Sequence, residues 1–188
     1  MAVMPSELSP ELQARAAKIQ VLLMDVDGVL TDGRLYNIPF PDGSILETKA
    51  FDSQDGIALQ WLSWHGIVTG VISGRVSPAT AERARQAKMK YVYQGHIEKI
   101  PILDEIMADV KVGPENVAYI GDDFTDVVIY NRVGLSFATA NAREEVKRSA
   151  HVTTDAKGGE GAVREVCELI LKAKGIWPEI LKKYEIHV

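Results

Sequence analysis

The sequence predicts an α/β fold: a doubly wound, Rossmann-like parallel sheet with a small β-hairpin inserted after the first strand and no large cap domain. Three observations predict it. Short, almost continuous apolar runs at 19–24, 67–72 and 117–120 alternate with stretches of helical periodicity, as buried parallel strands joined by crossover helices require. Acidic and hydroxyl residues follow those runs directly, where right-handed crossovers gather the strand C-termini on one edge. One stretch, Gly33 to Ala50, breaks the alternation with two strand-like arms around Asp42-Gly43, a turn signal for a hairpin too short to fold by itself.

The elements follow in order. Ser9-Pro10 opens a helix, because serine caps and proline fits the first turn. The run Ile19 to Met24 is the first strand. A helix spans Asp55 to His65, with Gly66 as its left-handed cap, and Ile67 to Ile72 is the second strand. Ser77-Pro78 starts a helix to about Met89. Tyr91 to Tyr93 is a short strand, and a helix from about Ile97 to Val110 carries Lys99 in its first turn. Val117 to Ile120 is a strand, followed by a helix from about Asp123 to Arg132. Leu135 to Ala138, a further helix and His151-Val152 continue the alternation. The last long helix runs from about Gly161 to Lys174. The tail, about 175–188, brings Ile176, Trp177, Ile180 and Leu181 with no evident place in a single core.

The 188 residues suit one domain, 1–188, with one sizeable core. Its 46% hydrophobic and 25% charged residues are ordinary for a soluble globular chain. No apolar run reaches the roughly 20 residues of a membrane span, and residues 1–8 do not read as a secretory signal. The single Cys167 forms no internal disulfide and packs as a small hydrophobe. These features predict a cytoplasmic protein without a membrane partner. The net charge of −5 argues against a nucleic-acid partner, and any anionic ligand would need local positive charge from a metal ion, Lys or Arg.

Asp25 and Asp27 end the first strand; Ser73, Gly74 and Arg75 end the second; Asp122, Asp123 and Asp126 follow the third after Gly121. Carboxylate oxygens suit a hard cation such as Mg²⁺, and a carboxylate can attack phosphorus to form an aspartyl-phosphate. A second acid two residues on can protonate a leaving oxygen and then activate water. A hydroxyl and a lysine can hold phosphoryl oxygens. Asp-x-Asp-Gly by itself is equally a turn, and Lys99 by itself a solvated helix residue. Each group following its own apolar strand, in order, is the specific signal.

With these motifs the sequence resembles the haloacid dehalogenase superfamily of phosphatases. Asp25-Val-Asp27-Gly28-Val29 resembles its first motif, Ser73 its second, Lys99 its third and Gly121-Asp122-Asp123-x-x-Asp126 its fourth. The resemblance implies Asp25 as nucleophile, Asp27 as acid/base, and Ser73 and Lys99 as phosphoryl-binding catalytic residues. It implies Mg²⁺ held by Asp25, Asp122 and the Asp27 carbonyl. Asp126 would orient Lys99 or a metal-bound water, with Asp123 beside it.

Further segments resemble the 3-deoxy-D-manno-octulosonate 8-phosphate phosphatase family: Leu30-Thr-Asp-Gly33, Lys49-Ala-Phe-Asp52, Asp55-Gly56, Ile72-Ser-Gly-Arg75, Tyr93-Gln-Gly95 and Gly158-Gly-Glu-Gly-Ala-Val-Arg-Glu165. This implies a homotetramer acting on a sugar-acid phosphate in lipopolysaccharide precursor synthesis, with a neighbour's hairpin and C-terminal residues closing each site. It implies substrate contacts from Asp27, Asp52, Ser53, Gln54, Asp55, Gly56, Gln60, Ser73, Gly74, Arg75, Arg83 and Lys99. Arg75, Arg83 and Lys99 also fit on physical grounds, since they could pair with a phosphate and a carboxylate. Gln54 and Gln60 stand where that family commonly has Arg, and Asp52 where it has Asn. A nine-carbon keto-acid 9-phosphate or another sugar phosphate is therefore an alternative substrate, and a phospho-accepting, receiver-like binding domain is the non-enzymatic alternative.

Overall fold

The structure is a computed structural model that describes residues 8–187; nearly all of the N-terminal segment read above as lacking a signal lies outside the described residues. The chain begins with α1 (Pro10–Ala17), capped by Ser9 Oγ, which accepts from Leu12 N–H at 3.3 Å. β1 (Val21–Met24) follows, then the hairpin β2 (Tyr36–Pro39) and β3 (Ile45–Thr48). The rest alternates: α2 (Ser53–Trp64), β4 (Val68–Ser73), α3 (Pro78–Gln86), β5 (Tyr91–Gln94), α4 (Ile100–Val110), β6 (Val117–Gly121), α5 (Phe124–Tyr130), β7 (Leu135–Ala138), α6 (Glu144–Ser149) and β8 (Val152–Thr153). Two helices, α7 (Ala162–Ala173) and α8 (Trp177–Lys183), end it. Among the described residues, no helix is long and apolar enough to cross a membrane.

Six strands form one parallel sheet in the order β5-β4-β1-β6-β7-β8. β1 is buried throughout, and its side chains alternate between two cores as a strand dictates. Leu22 and Met24 join Leu12, Leu59, Leu62 and Ile170 on one face, and Val21 and Leu23 join Leu103, Ile106, Ile129 and Val146 on the other. Because β1 has β4 on one side and β6 on the other, the chain reverses its winding direction there. Met24, Ser73 and Gly121 thus end neighbouring strands, and the crevice beyond them is where ligands of open α/β sheets bind.

The hairpin pairs Tyr36 with Thr48 and Pro39 with Ile45 in a separate two-stranded sheet. Asp42 Oδ1 accepts from Ser44 N–H and Oγ at 2.9 and 2.7 Å, and Gly43 takes φ +84°, so the predicted turn residues do make the turn.

Two expectations are corrected. Lys99 sits one residue ahead of α4, at its cap position, rather than in its first turn. The tail does have a place in the core. Gly175, at φ +72°, reverses the chain while Ile176 N–H bonds Leu171 O at 2.9 Å, a left-handed helix ending that favours glycine. α8 then folds back: Ile180 is buried, Trp177 meets Trp61 edge-on at 5.8 Å, and Trp61 Nε1 donates to Tyr184 Oη at 3.1 Å.

Candidate active site

Asp25 leaves β1 with its N–H on Ile120 O at 3.1 Å, and Val26 O takes the N–H groups of Leu30 and Thr31 at 2.9 and 3.1 Å, closing a tight loop. Within it Gly28 has φ +84°, and a Cβ there would collide with the Asp122 carboxylate. The glycine of Asp-x-Asp-Gly is thus required both by its backbone and by close approach.

Lys99 lies at the centre, 2% exposed in its side chain. Its Nζ reaches Asp126 Oδ1 at 2.6 Å, Tyr119 Oη at 3.0 Å and Asp25 Oδ1 at 3.2 Å. Asp126 is fully buried. Its Oδ1 also accepts from Tyr119 Oη at 2.7 Å, and its Oδ2 takes the Asp122 and Asp123 N–H groups at 2.9 and 3.2 Å. Asp123 caps α5, its carboxylate accepting from Phe124 N–H at 2.7 Å. Burial alone would lower the Lys99 ammonium, but the Asp126 and Asp25 carboxylates outweigh it and hold it above its ordinary value.

Asp25, Asp122 and Asp126 each offer an oxygen within 4.8 Å of the others. Burial pushes the Asp25 carboxyl up to about 6 against the opposing pull of Lys99, with Asp126 adding to the rise. Burial and the charges of Asp126, Asp25 and Asp123 push Asp122 up to about 8. Asp122 Oδ1 is buried without a hydrogen-bond partner. Asp126 is saturated by four donors, so Asp25 and Asp122 are the two carboxylates with capacity for a ligand. An orphaned carboxylate oxygen beside a second carboxylate fits a hard divalent cation.

Asp27 is held by residues from elsewhere. Lys49, at the end of the hairpin and 2% exposed in its side chain, donates to Asp27 Oδ1 and lies 3.7 Å from Glu47 Oε1. Arg75 Nε stands 3.8 Å from Asp27 Oδ2, and its Nη2 pairs with Glu47. Ser73 is buried at the end of β4, its Oγ accepting from Arg75 N–H at 3.2 Å, next to exposed Gly74. Glu47, Lys49 and Tyr119 carry no expected role from the sequence; Lys49, in the same motif as Asp52, is the one that motif could flag.

The expected substrate-contact residues divide. Asp52 caps α2, accepting from Gln54 N–H at 2.7 Å, and Ser53 and Gln54 are exposed beside it. Arg83 donates to Asp52 O, and its guanidinium fills the space a side chain at Gly56 would need. Gln60 turns to the end of α3, its Nε2 donating to Gln86 O at 3.1 Å. Asp55 is fully buried and caps α7, its Oδ1 accepting from Arg164 N–H at 2.7 Å while Oδ2 has no partner.

Burial pushes the Asp55 carboxyl up to about 7, the Arg164 N–H pulling the other way. An unfolded aspartate titrates near about 4. The stability from this group is therefore full below that value and is lost as pH rises through its folded value. Asp55→Asn should remove the loss, flattening the pH slope of unfolding free energy between about pH 4 and pH 7 by up to about 1.4 kcal/mol per pH unit. Urea titrations of both proteins across that window test it, and parallel slopes would refute it.

A sequence family described as haloacid dehalogenase-like hydrolase matches residues 73–166. The 3-deoxy-D-manno-octulosonate 8-phosphate phosphatase of Yersinia pestis is 41% identical over 160 residues, 85% of this chain and 83% of that protein. Among solved structures, a probable YrbI family phosphatase from Pseudomonas syringae superposes with TM-score 0.89 at 42% identity, covering 96% of this chain and 100% of the other. The Moraxella catarrhalis 3-deoxy-D-manno-octulosonate 8-phosphate phosphatase, solved with a magnesium ion, a phosphate ion and a KDO molecule, superposes with TM-score 0.88 at 35% identity, covering 94% and 99%.

Proposed function

Since the chain belongs to the 3-deoxy-D-manno-octulosonate 8-phosphate phosphatase family of haloacid dehalogenase-like hydrolases, we propose that it releases phosphate from 3-deoxy-D-manno-octulosonate 8-phosphate. It is a phosphoric monoester hydrolase, and membership in a family of hydrolases favours turnover over receiver-like signalling. The observation that carries the chemical reading is the Lys99 bridge between Asp25 and Asp126 beside the unpartnered Asp122 oxygen.

Asp25 attacks phosphorus and becomes an aspartyl-phosphate. Asp27 gives its proton to the departing sugar oxygen and then takes one from the water that hydrolyses the intermediate. Lys99 and Ser73 hold the phosphoryl oxygens, with Asp126 and Tyr119 keeping the ammonium aimed. The side chains of Asp25 and Asp122, with the Asp27 carbonyl, would hold Mg²⁺. When bound, that ion offsets the repulsion between an anionic nucleophile and an anionic phosphoryl group. Asp52, Ser53, Gln54, Gly56, Gly74, Arg75 and Arg83 stand as candidate contacts to the sugar acid, Arg75 suiting its carboxylate by charge.

A nine-carbon keto-acid 9-phosphate is the second reading, favoured by the uncharged Gln54 and by Gln60, whose amide is engaged with Gln86 O. Measuring kcat/KM across eight- and nine-carbon keto-acid phosphates separates the two. The eight-carbon substrate is expected to lead by about tenfold or more, and chelation with EDTA should abolish turnover until Mg²⁺ is restored. A leading nine-carbon substrate would reverse the assignment, and full activity in EDTA would remove the metal. We also propose a cytoplasmic homotetramer. Supporting the assembly, the hairpin exposes Leu35, Ile38, Phe40, Ile45 and Leu46, with Ile38 and Leu46 paired across one of its faces.

A further inference from the structure

The sequence carries a glycine-rich stretch, Gly158 to Gly161, to which the chemistry above gives no task. Its surroundings give it one. Gly28 O accepts from Asn141 Nδ2 at 3.0 Å and from Thr139 Oγ1 at 3.3 Å. Asn141 Oδ1 accepts from Gly158 N–H at 2.6 Å, and Gly159 N–H bonds Val29 O at 3.1 Å. A Cβ on Gly158 would collide with Gly28 O, and one on Gly159 would press on the Asp32 N–H. The two backbones are in direct contact, so only glycine fits. The turn that carries Asn141 also reaches Asp122, whose carbonyl takes the Arg143 N–H at 3.2 Å.

Gly28 is therefore held from two sides. The Asp122 carboxylate lies against one side, and the Gly158 backbone with the Asn141 amide lies against the other. We propose that Asn141 is a positioning residue that clasps the glycine-rich segment to the Asp25–Gly28 loop and so sets where Asp122 and Asp27 stand. The inference rests on the phosphatase reading for its kinetic consequence alone; the clasp itself is a statement about backbone and metal-site geometry. Asn141 is on the surface apart from these bonds, so its replacement leaves the folded core intact.

Asn141→Ala removes both bonds, and Asn141→Asp keeps the acceptor for Gly158 but sets an oxygen against the Gly28 carbonyl. Residues that orient metal ligands indirectly are typically worth about 10- to 100-fold in affinity or activity. Both variants should raise the Kd for Mg²⁺, measured by calorimetric titration of MgCl₂ into the full chain, by about tenfold or more. Hydrogen exchange of the 158–161 amides should quicken. In turnover assays kcat should fall by a similar factor with KM within about twofold; a smaller folded fraction would give the same split, so the Mg²⁺ Kd per folded molecule and the local exchange rates are the deciding readouts. Unchanged Mg²⁺ affinity and exchange in both variants would overturn the proposal, even if Tm falls. A parent that binds Mg²⁺ but hydrolyses no sugar-acid phosphate would sink the functional reading instead, and the calorimetric and exchange results would still decide the clasp.

Discussion

Asp25→Asn is expected to lower kcat for phosphate release by about 10⁴-fold or more while leaving the protein folded and at least as resistant to heat. The substitution preserves shape and removes the proposed nucleophile, because an amide does not attack phosphorus at a useful rate. Burial already holds the Asp25 carboxyl up at about 6, so near neutral pH its ionised form is a cost to the folded state rather than a gain. Lys99 also bonds Asp126 at 2.6 Å, a contact the substitution leaves untouched, so no buried cation is stranded. The check is a pair of measurements on one preparation: phosphate release at saturating Mg²⁺, and thermal melting. Retained activity would remove the aspartyl-phosphate from the mechanism, whereas a collapse of Tm would mean that the Asp25 carboxylate holds the fold.

Lys99→Met should lower stability substantially. It leaves Asp126, fully buried, without its cation. Removing one partner of a buried ion pair typically costs about 3–5 kcal/mol. Tyr119 Oη and two backbone N–H groups still serve Asp126, which argues for the lower end of that range. Activity should fall by at least about 10²-fold, since the charge proposed to hold the phosphoryl group is lost with the same side chain. The double variant Lys99→Met/Asp126→Asn separates the effects. It should recover part of the lost stability, because the fully buried Asp126 charge is gone while Asp25, 3.2 Å from Lys99 Nζ in the parent, still lacks its cation, and none of the lost activity. Urea denaturation of the parent, both single variants and the double variant closes the cycle; additive losses would show that the pair is not coupled.

Much of this was legible from residues alone. The alternation of Val21, Leu22, Leu23 and Met24 between two cores is a local consequence of strand geometry, and it announced a strand buried on both faces. Asp25, Ser73 and Asp122 were readable as neighbours because topology sends parallel strand ends to one edge. The Asp42-Gly43 turn followed from local chemistry as well. Other features were not legible. Lys49 carried no expected role and Arg83 was expected to meet substrate, yet their partners, Asp27 and the Asp52 carbonyl, lie 22 and 31 residues away. Asp55 resembled a substrate contact, while in the fold its carboxylate caps a helix 109 residues further on. The tail seemed to lack a core because Trp61, which receives Trp177, sits on another helix altogether.

The sequence by itself determined the order of strands and helices, the edge on which the chemistry gathers and the kinds of side chain that arrive there. Burial pattern and turn chemistry are written within a few residues of one another. Only the tertiary structure decided what each charge does. Asp25, Asp122 and Asp126 are chemically the same group, and what distinguishes them is the set of donors that long-range packing supplies. Four donors saturate Asp126, Lys99 shares Asp25, and Asp122 keeps one oxygen unpaired. A carboxylate's capacity to attack, to bind a cation or to aim a lysine depends on how many of its lone pairs are already taken and how much water it has lost, and both are properties of the folded chain.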